Sequence, residues 1–188
     1  MTPGIKVRLD RLFSDDRNMK KLKSEAALIN YAAEGNPPDA YVISFLCNGM
    51  TVDLKHVPRT AQEHKLRIVL HAGYPATAPQ LEQVTKVFHP NFAPPPSKAV
   101  CIDATKWTPA ESLPDLVVRL FNMISYRLYN LKSAYNPQAA QWVLDNKARL
   151  PLDGRGWAKD PSALAPELRV IRDFPPSKAD DFEIRIVT

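Results

Sequence analysis

Residues 74–110 have the sequence YPATAPQLEQVTKVFHPNFAPPPSKAVCIDATKWTPA, in which a cysteine follows a His-Pro-Asn tripeptide. The tripeptide is His89-Pro90-Asn91 and the cysteine is Cys101. A nucleophilic thiolate needs an exposed position, and it needs hydrogen-bond donors near the oxygen that becomes negative in a tetrahedral intermediate. Cys101 lies in a long non-repetitive segment, where exposure is easy, and Asn91 is a candidate amide donor. The segment therefore predicts a reactive cysteine at position 101.

Other interpretations of this cysteine are weaker. A lone cysteine is most often a small buried side chain, which is what we expect of Cys47 at the end of a predicted strand. A cysteine hydrolase pairs its thiolate with a histidine, but all 4 histidines precede Cys101, so the papain order of cysteine before histidine is absent. Neither cysteine has a partner at metal-ligand spacing, and no glycine-rich phosphate loop occurs. We expect no metal and no cofactor.

The composition limits the size of the hydrophobic core and indicates the cellular compartment. The chain has 188 residues with 45% apolar content, which suffices for one substantial core. Its 2 cysteines are too few for a disulfide framework. The N-terminus lacks an apolar signal region, and no segment approaches the roughly 20 apolar residues of a membrane span. We therefore expect a soluble cytoplasmic protein with no membrane partner.

The charge distribution argues against a nucleic-acid partner. The net charge is +5, but 20 acidic residues are dispersed among 25 basic ones, with no long basic block and no aromatic-rich RNA motif. Part of the basic excess lies early, at Lys6, Arg8, Arg11, Arg17, Lys20, Lys21 and Lys23. A solvated helix face is the simplest interpretation of this cluster. Binding of nucleic acid would instead show as an affinity that falls steeply with salt.

Apolar spacing predicts a helix and then a sheet. Steps of three, four and seven mark one face of an amphipathic helix, at Ile5, Leu9, Leu12, Met19, Leu22 and Ala26. Residues 27–33, 40–47 and 65–71 are rich in β-branched and aromatic side chains and are separated by turn and polar segments. They predict three strands of a meander, and a fourth short strand is predicted from Glu82 to Phe88.

The period changes after Cys101. Apolar residues from Leu113 to Leu128 recur at three and four, which predicts a helix of about five turns. Its start is open, because residues 108–111 and residues 112–115 both offer capping-box patterns with an early proline. A third helix is predicted after Asn136-Pro137, with Ala139, Ala140, Trp142 and Val143 facing the core.

Beyond residue 155 the composition shifts toward proline and charge. We therefore assign residues 1–155 to a catalytic domain and residues 156–188 to an appendage of unassigned role. Within the appendage, residues 163–171 could form a short helix, and residues 182–186 alternate like a strand.

In order and spacing, these motifs resemble the active-site region of ubiquitin-conjugating enzymes, namely Tyr74-Pro75, His89-Pro90-Asn91, Cys101, Asp103 and the run Trp107-Thr108-Pro109-Ala110. The resemblance implies an α+β fold, with an N-terminal helix, a four-stranded antiparallel meander, a loop that bears the cysteine, and C-terminal helices. This order matches the elements predicted from residue 5 to residue 146. Members of the family carry a ubiquitin-like protein as a thioester on their cysteine, so Cys101 is the implied acyl carrier.

The resemblance also implies roles for the neighbours of Cys101. Asn91 matches the asparagine to which the family assigns either oxyanion stabilisation or ordering of the active-site loop, and we expect it to meet the tetrahedral intermediates. His89, Pro90 and Trp107 are expected to be structural. Asp103 matches an acidic residue that the family often has two positions after its cysteine, and we count it as catalytic.

The implied partners are an activating enzyme, a ubiquitin-like protein, a target protein and, less firmly, a ligase. The basic first helix, with Lys6, Arg8 and Arg11, is the surface predicted to meet the activating enzyme. Thr108, Pro109 and Ala110 keep half of the surface that meets a RING-type ligase in the family. Ala76 stands where many eukaryotic members have an inserting aromatic residue, which leaves dependence on a ligase open.

Two further departures concern the site itself. Pro94-Pro95-Pro96 stiffens the loop before Cys101, and the gap from Cys101 to Trp107 is shorter than in eukaryotic members, so the architecture around the thiol is expected to differ. The family usually places an acidic residue that activates the incoming lysine after the second helix, but residues 132–135, KSAY, contain no carboxylate. Tyr135, Asp103 or the substrate itself is left for that role.

Residues 11–16, the run from Trp107 to Leu113, Tyr129-Asn130 and residues 151–155 resemble the prokaryotic branch of the family, whose members accompany an activating enzyme and a modifier in small operons. The sequence thus predicts a conjugating enzyme for a ubiquitin-like protein. The alternative is an inactive variant of the same fold that only binds ubiquitin-like proteins or scaffolds a complex. Such variants typically lack the cysteine, so the presence of Cys101, Asn91 and Asp103 favours an enzyme.

Overall fold

The computed structural model describes residues 3–102 and 107–159. In chain order the elements are helix α1 (Pro3–Glu25), strands β1 (Ile29–Gly35), β2 (Pro38–Phe45), β3 (Gly49–Val52), β4 (Pro58–Ala61), β5 (His64–Val69) and β6 (Gln80–Gln83), helices α2 (Leu113–Ile124) and α3 (Pro137–Asp145), and a 3-10 turn (Lys147–Arg149). An N-terminal helix, an antiparallel sheet and C-terminal helices form the α+β architecture that the sequence predicts.

The main sheet is a four-stranded antiparallel meander in the order β1-β2-β5-β6. Successive side chains of a strand point to opposite faces, and one face of the two middle strands is closed to solvent. Its side chains are 0% exposed at Tyr41, Ile43, Phe45, Leu66 and Ile68. They share one cluster with apolar residues of α1 and α2. Burial of each such side chain contributes roughly 1.5–3 kcal/mol, so this layer joins the helices to the sheet.

Helix α1 confirms the predicted first helix but not its whole apolar face. Leu12, Met19 and Leu22 are 1%, 0% and 2% exposed and face the core, as predicted. Ile5 is 52% exposed, so the prediction is wrong at the first turn, which the described neighbours of the helix leave uncovered. In the part of the chain that the structure describes, no helix is both long enough and apolar enough to span a membrane.

Helix α2 begins at the second of the two predicted starts. The Ser112 hydroxyl accepts a hydrogen bond from the Asp115 N–H, and the Asp115 carboxylate accepts one from the Ser112 N–H, which completes a capping box. Pro114 lies in the first turn, where its missing N–H costs nothing.

The predicted end of α2 at Leu128 is wrong, because the helix stops at Ile124. Tyr126 adopts a φ of 58°, in the left-handed region that few residues other than glycine enter. The N–H groups of Arg127 and Leu128 then both donate to Asn122 O, at 2.8 and 3.1 Å. Leu128 is buried although it is not helical, so its helical spacing from the preceding leucines does not report its conformation.

Strand β6 is earlier and shorter than the strand predicted from Glu82 to Phe88. Its pairing with β5 ends after Gln83, where the N–H groups of Val84 and Thr85 both donate to Lys65 O, at 2.9 and 3.1 Å. These bonds turn the chain out of the ladder toward the His-Pro-Asn tripeptide.

The hairpin of β3 and β4 is not predicted by the sequence analysis. Its strands are four residues long and mostly exposed or partly exposed, so they lack a clear apolar alternation. Asp53 closes the connecting loop, because its Oδ1 accepts from the N–H groups of Lys55 and Val57 at 2.8 and 2.9 Å.

Helix α3 confirms the helix predicted after Asn136-Pro137. The Asn136 Oδ1 accepts from the Ala139 N–H at 3.0 Å and caps the helix. Ala139 and Val143 are 0% exposed, as predicted, and belong to a second apolar cluster with Met50, Phe88, Tyr126 and Tyr129. Ala140 and Trp142 are only partly buried.

The chain after α3 returns to the start of the sheet. Trp157 is 3% exposed within the main core, and its carbonyl accepts from the Ala27 N–H at 2.8 Å. Ala158 forms a bridge with Ala26. Close packing thus continues past residue 155, where the domain boundary is predicted. The helix and strand predicted within residues 163–186 lie outside the described residues.

Asp153 ties this last segment to the sheet. Its carboxylate is 4% exposed and accepts from the Asn48 N–H at 3.0 Å and from the Arg155 guanidinium at 2.9 and 2.7 Å. The Arg155 side chain is the main reason that the pKa of the Asp153 carboxyl lies below its ordinary range. Arg127 donates to the backbone carbonyls of Asp153 and Arg155.

We expect Asp153→Asn to lower the free energy of unfolding at pH 7 by about 1–3 kcal/mol, because a buried, paired carboxylate loses its charge and an acceptor. Since the folded pKa is depressed, this stabilisation is fully present above the ordinary pKa near 4 and is lost as the pH falls toward the folded value. The difference from wild type in urea titrations should therefore shrink between about pH 5 and pH 3.

The matched control is Glu63→Gln, which removes one charge of an exposed ion pair with Lys65 and should change stability by less than about 0.5 kcal/mol. An Asp153→Asn difference that stays constant with pH would contradict the role of the carboxylate charge.

Candidate active site

Backbone pairing holds Cys101 beside the His-Pro-Asn tripeptide. Phe92 forms an antiparallel bridge with Val100, and the Cys101 N–H donates to Asn91 O at 2.8 Å. The Cys101 side chain is partly exposed, whereas Cys47 is buried in the core as predicted. The structure therefore gives Cys101 the accessible position that a nucleophile requires.

Gln83, a residue that the sequence analysis missed, holds both sides of this loop together. Its Nε2 donates to Ala93 O at 2.9 Å and to Ala99 O at 3.2 Å, and its Oε1 accepts from the Val87 N–H at 3.1 Å. The side chain is 7% exposed. A buried amide with its donors and its acceptor satisfied stabilises one loop conformation. The signal in the sequence is a polar residue at a strand position that faces inward.

His89 is a buried neutral imidazole. It is 0% exposed, its Nδ1 accepts from the Asn91 N–H at 3.1 Å, and its Nε2 lies 3.2 Å from Leu128 O. These partners fix the tautomer with the proton on Nε2. Burial lowers the pKa of His89 to about 3. Rings of Phe92 and Tyr126 pack against it edge-on, so the imidazole joins three segments of the chain.

The Asn91 side chain is fully engaged with the loop that follows α2. Its Nδ2 donates to Asn130 O at 2.9 Å and to Ser133 O at 3.4 Å, and its Oδ1 accepts from the Asn130 N–H at 2.8 Å. The backbone of Pro90 adds a further link, because its carbonyl accepts from the Asn136 N–H at 2.9 Å. Of the two roles left open for Asn91, this geometry supplies the ordering of a loop, since both amide protons already have acceptors.

Tyr135 lies on that ordered loop, and its side chain is 49% exposed. The charge of Cys101 is the main reason that the pKa of Tyr135 is raised above its ordinary value. One of the groups left for substrate activation therefore lies in the electrostatic neighbourhood of the thiol. Asp103, the other named side chain, lies outside the described residues.

Trp107 joins the two halves of the predicted ligase-facing surface. Its Nε1 donates to Pro75 O at 2.8 Å, and its ring lies 5.9 Å from that of Tyr74. Ala76 is exposed next to this contact. Thr108, Pro109 and Ala110, which follow Trp107, are exposed as well.

Arg11, predicted as a partner-binding residue, bonds to the backbone of the segment that carries this surface. Its guanidinium donates to the carbonyls of Pro109 and Glu111 and pairs with Asp15 at 2.9 Å. The Tyr74 hydroxyl donates to the same carboxylate at 2.5 Å. Arg11 is thus occupied by intramolecular partners, a use that spacing along a helix does not reveal.

Arg8 has a similar intramolecular use, whereas Lys6 is exposed. Arg8 donates to Leu70 O at 2.7 Å and lies 3.6 Å from the Asp39 carboxylate. Of the three basic residues predicted to meet an activating enzyme, two thus have intramolecular partners, which leaves a smaller basic surface than the sequence predicts. Contact with that partner stays a prediction. Within residues 3–102 and 107–159, no group of three or more His, Cys, Asp or Glu side chains is arranged to hold a metal ion.

The sequence profile of the family described as "Ubiquitin-conjugating enzyme" matches residues 45–151, which include the tripeptide, Cys101 and the ordered loop. The chain belongs to the ubiquitin-conjugating enzyme family. Membership supports conjugation of ubiquitin-like proteins in general, and with it transferase activity and interaction with ubiquitin-like proteins, activating enzymes and substrates. No curated protein sequence matches the chain significantly.

Solved structures support the same fold. The chain is similar to a structure described as "Novel Ubiquitin-Conjugating Enzyme", with TM-score 0.56 and 19% identity, over 73% of this chain and 86% of that one. Ubc12 of S. cerevisiae gives TM-score 0.57 and 17% identity, over 75% and 73%. The conjugating-enzyme domain of a Toxoplasma gondii protein gives 0.53 and 19%, over 74% and 88%. Because the sequence identities are below 20%, this structural similarity establishes the fold alone.

We expect the His89 imidazole to stay neutral, in one tautomer, from pH 8 to pH 5, so its ring signals in NMR spectra should not titrate over this range. A depressed folded pKa leaves stability fully present above the ordinary value near 6.5 and lowers it as the pH falls toward the folded value. This single group should cost about 2 kcal/mol of unfolding free energy between pH 7 and pH 5.

The His89→Gln variant should lose that part of the pH dependence, which urea titrations at the two pH values would measure. An inflection of the His89 signals between pH 5 and pH 8 would contradict the buried neutral state.

Proposed function

We propose that this protein accepts a ubiquitin-like protein from an activating enzyme as a thioester on Cys101 and transfers it to an amine of a target protein. One observation carries the proposal: Cys101 is accessible and its N–H is bonded to Asn91 of the His-Pro-Asn tripeptide, in a chain of the ubiquitin-conjugating family. A thiolate attacks the incoming thioester in the first step, and an amine attacks the adduct in the second.

The partners follow from the same comparison. Residues 11–16, the run from Trp107 to Leu113 and residues 151–155 resemble prokaryotic members, so we place the protein in that branch, in the cytoplasm, with an activating enzyme and modifier from one operon. The exposed part of α1 around Lys6 is the proposed surface for the activating enzyme. Residues 108–110, beside Ala76, are the proposed surface for a ligase if one is used.

The rival function is a scaffold of the same fold that binds ubiquitin-like proteins without carrying them. Variants of that kind typically lack the cysteine. Cys101 is present and accessible here, which favours the carrier.

Wild type, Cys101→Ala and Cys101→Ser should be incubated with ATP, the activating enzyme and the modifier, then analysed by intact mass and non-reducing gels. Wild type should gain an adduct that reductant removes. The alanine variant should gain none, and the serine variant should form an oxygen ester that resists reductant. If the activating enzyme loads its own modifier but wild type stays uncharged, the scaffold becomes the better account.

For Asn91→Ala we expect charging to reach its normal endpoint, whereas discharge of the preformed thioester to free lysine slows by about tenfold. The reason is that the loop bearing Tyr135 loses its side-chain link to the tripeptide. Asn146→Ala, which removes an amide that donates to the Trp142 carbonyl at the end of α3, is the matched control. Equal losses in charging and discharge would leave Asn91 with a purely structural role.

A further inference from the structure

Two segments of the chain are held together at the candidate thiol. The first runs from residue 84 to Cys101, and within it the Cys101 N–H donates to Asn91 O at 2.8 Å. The second is the loop after α2. Asn91 binds this loop through the carbonyls of Asn130 and Ser133, at 2.9 and 3.4 Å. An amine that approaches a thioester on Cys101 therefore meets the charges of both segments.

The exposed charges of these two segments are all positive. Residues 84–102 and residues 126–144 include no aspartate and no glutamate. Their exposed charged side chains are the ammonium groups of Lys86, Lys98 and Lys132. Like charges repel, so these groups oppose the approach of a further ammonium and do not oppose a neutral amine.

Two carboxylates lie near these segments in sequence. Glu82 forms a backbone bridge with Ala99. Its side chain, however, lies on the exposed face of the main sheet, in register with Arg67 of β5. Asp103, two residues beyond Cys101, lies outside the described residues and is tested by substitution below.

Tyr135 and His89 do not replace a carboxylate as the base. The pKa of the Tyr135 phenol is raised above its ordinary value near 10, so the phenol keeps its proton at neutral pH. The His89 imidazole is 0% exposed, and both of its ring nitrogens have partners inside the protein. Among the described residues of these two segments, no side chain is thus suited to take a proton from an ammonium.

Amines differ in the fraction that is neutral. At pH 7 about one tenth of a peptide α-amine is neutral, because its pKa is near 8, whereas only about one lysine side chain in 2,500 is neutral. An enzyme that binds an ammonium and deprotonates it removes this difference of about 250-fold. A site that repels the ammonium keeps the difference, so it reacts with the amine that arrives neutral.

We propose that the amine acceptor of this protein is the α-amino group at the N-terminus of its target, and not a lysine side chain. The proposal rests on the proposed carrier function of Cys101, which it deepens by naming the class of acceptor. It selects the substrate itself from the groups left open for activation of the incoming amine.

The transfer step balances without a base from the protein. The nitrogen of the neutral α-amine bonds to the thioester carbonyl carbon, the carbon–sulfur bond breaks, and its electron pair stays on the Cys101 sulfur. The proton that the nitrogen loses passes to water. The product is an amide bond that joins the acyl group of the modifier to the N-terminus of the target.

Two isomeric acceptors test the proposal, because they differ only in which amine is free. The amide of Nε-acetyllysine has a free α-amine, and the amide of Nα-acetyllysine has a free side-chain amine. At pH 7 the preformed thioester on wild type should discharge to the first about tenfold faster or more, as measured by intact mass. This factor is smaller than the ratio of neutral fractions, since nucleophilicity falls with basicity, as it does for thiols.

The reference is a free thioester of the same modifier with mercaptoethanesulfonate. The preference on the enzyme should equal or exceed that of the reference, and it should shrink as the pH rises to 10, where a large fraction of the side-chain amine is neutral.

Faster discharge to the side-chain amine at pH 7 would overturn the proposal, and so would a preference weaker than that of the reference, because both require activation of an ammonium by the protein. Loss of that activity in Asp103→Asn or in Glu82→Gln would then identify the base. Discharge to N-acetylcysteine but to neither isomer would also overturn the proposal, because the acceptor would be a thiol.

A carboxylate added to the loop after α2 tests the reasoning from the opposite direction. Ser133 is exposed and binds Asn91 through its carbonyl, so Ser133→Asp leaves that bond available. In this variant the ratio of the two discharge rates should shift toward the side-chain amine by about three- to tenfold. The matched control is Asn18→Asp, which adds the same charge on an exposed position of α1 and should not change the ratio. An unchanged ratio in Ser133→Asp would overturn the role given to the missing carboxylate.

Chemical charging separates this proposal from the carrier function. The thioester of acetyl-Gly-Gly with mercaptoethanesulfonate exchanges with an accessible thiol, so it acylates Cys101 without an activating enzyme. Cys47 is buried, and Cys101→Ala measures the background. If the activating enzyme never charges wild type, the carrier function fails. The preference between the two isomers, measured on the chemically acylated protein, still decides which amine the site takes.

Discussion

The candidate active site depends on one side chain, the carboxamide of Asn91, which bonds to the backbone at Asn130 and Ser133. Asn91 lies far in sequence from Asn130 and Ser133. Holding the loop after α2 next to the tripeptide therefore costs conformational entropy, which a bonded link offsets. Asn91 is 4% exposed, and unpaired polar atoms at such a depth are costly. Because the buried amide of Asn91 needs hydrogen-bond partners, its bonds to the loop hold both the side chain and the loop in place.

Two other buried polar groups extend this constraint. Gln83 bonds to both sides of the loop before Cys101, and His89 bonds to the Asn91 N–H and to Leu128 O. Each would cost free energy in the core if one of its partners moved away. A network of this kind has one arrangement in which every member is satisfied. The network therefore makes the loop before Cys101 rigid. Without it, the conformation of this partly exposed loop would depend only on the backbone preferences of its own residues, which include three prolines.

The sequence predicted the elements whose physics is local. The apolar period of α2, the start of α3 after Asn136-Pro137 and the β-branched and aromatic content of β2 and β5 are visible in single segments. The end of α2, the short hairpin of β3 and β4, and the intramolecular use of Arg8 and Arg11 depend on atoms distant in the chain. Spacing placed Cys101 near Asn91 correctly but could not show that the carboxamide of Asn91 is already occupied.

The occupied carboxamide limits what Asn91 can do chemically. Both Nδ2 protons already have acceptors on the loop after α2, so an oxyanion formed near Cys101 would have to displace one of these bonds to gain a donor from this side chain. Such a displacement would leave a backbone carbonyl of the loop without that partner, at a cost in free energy. The asparagine therefore acts on Cys101 through the position of the loop that it holds against the tripeptide.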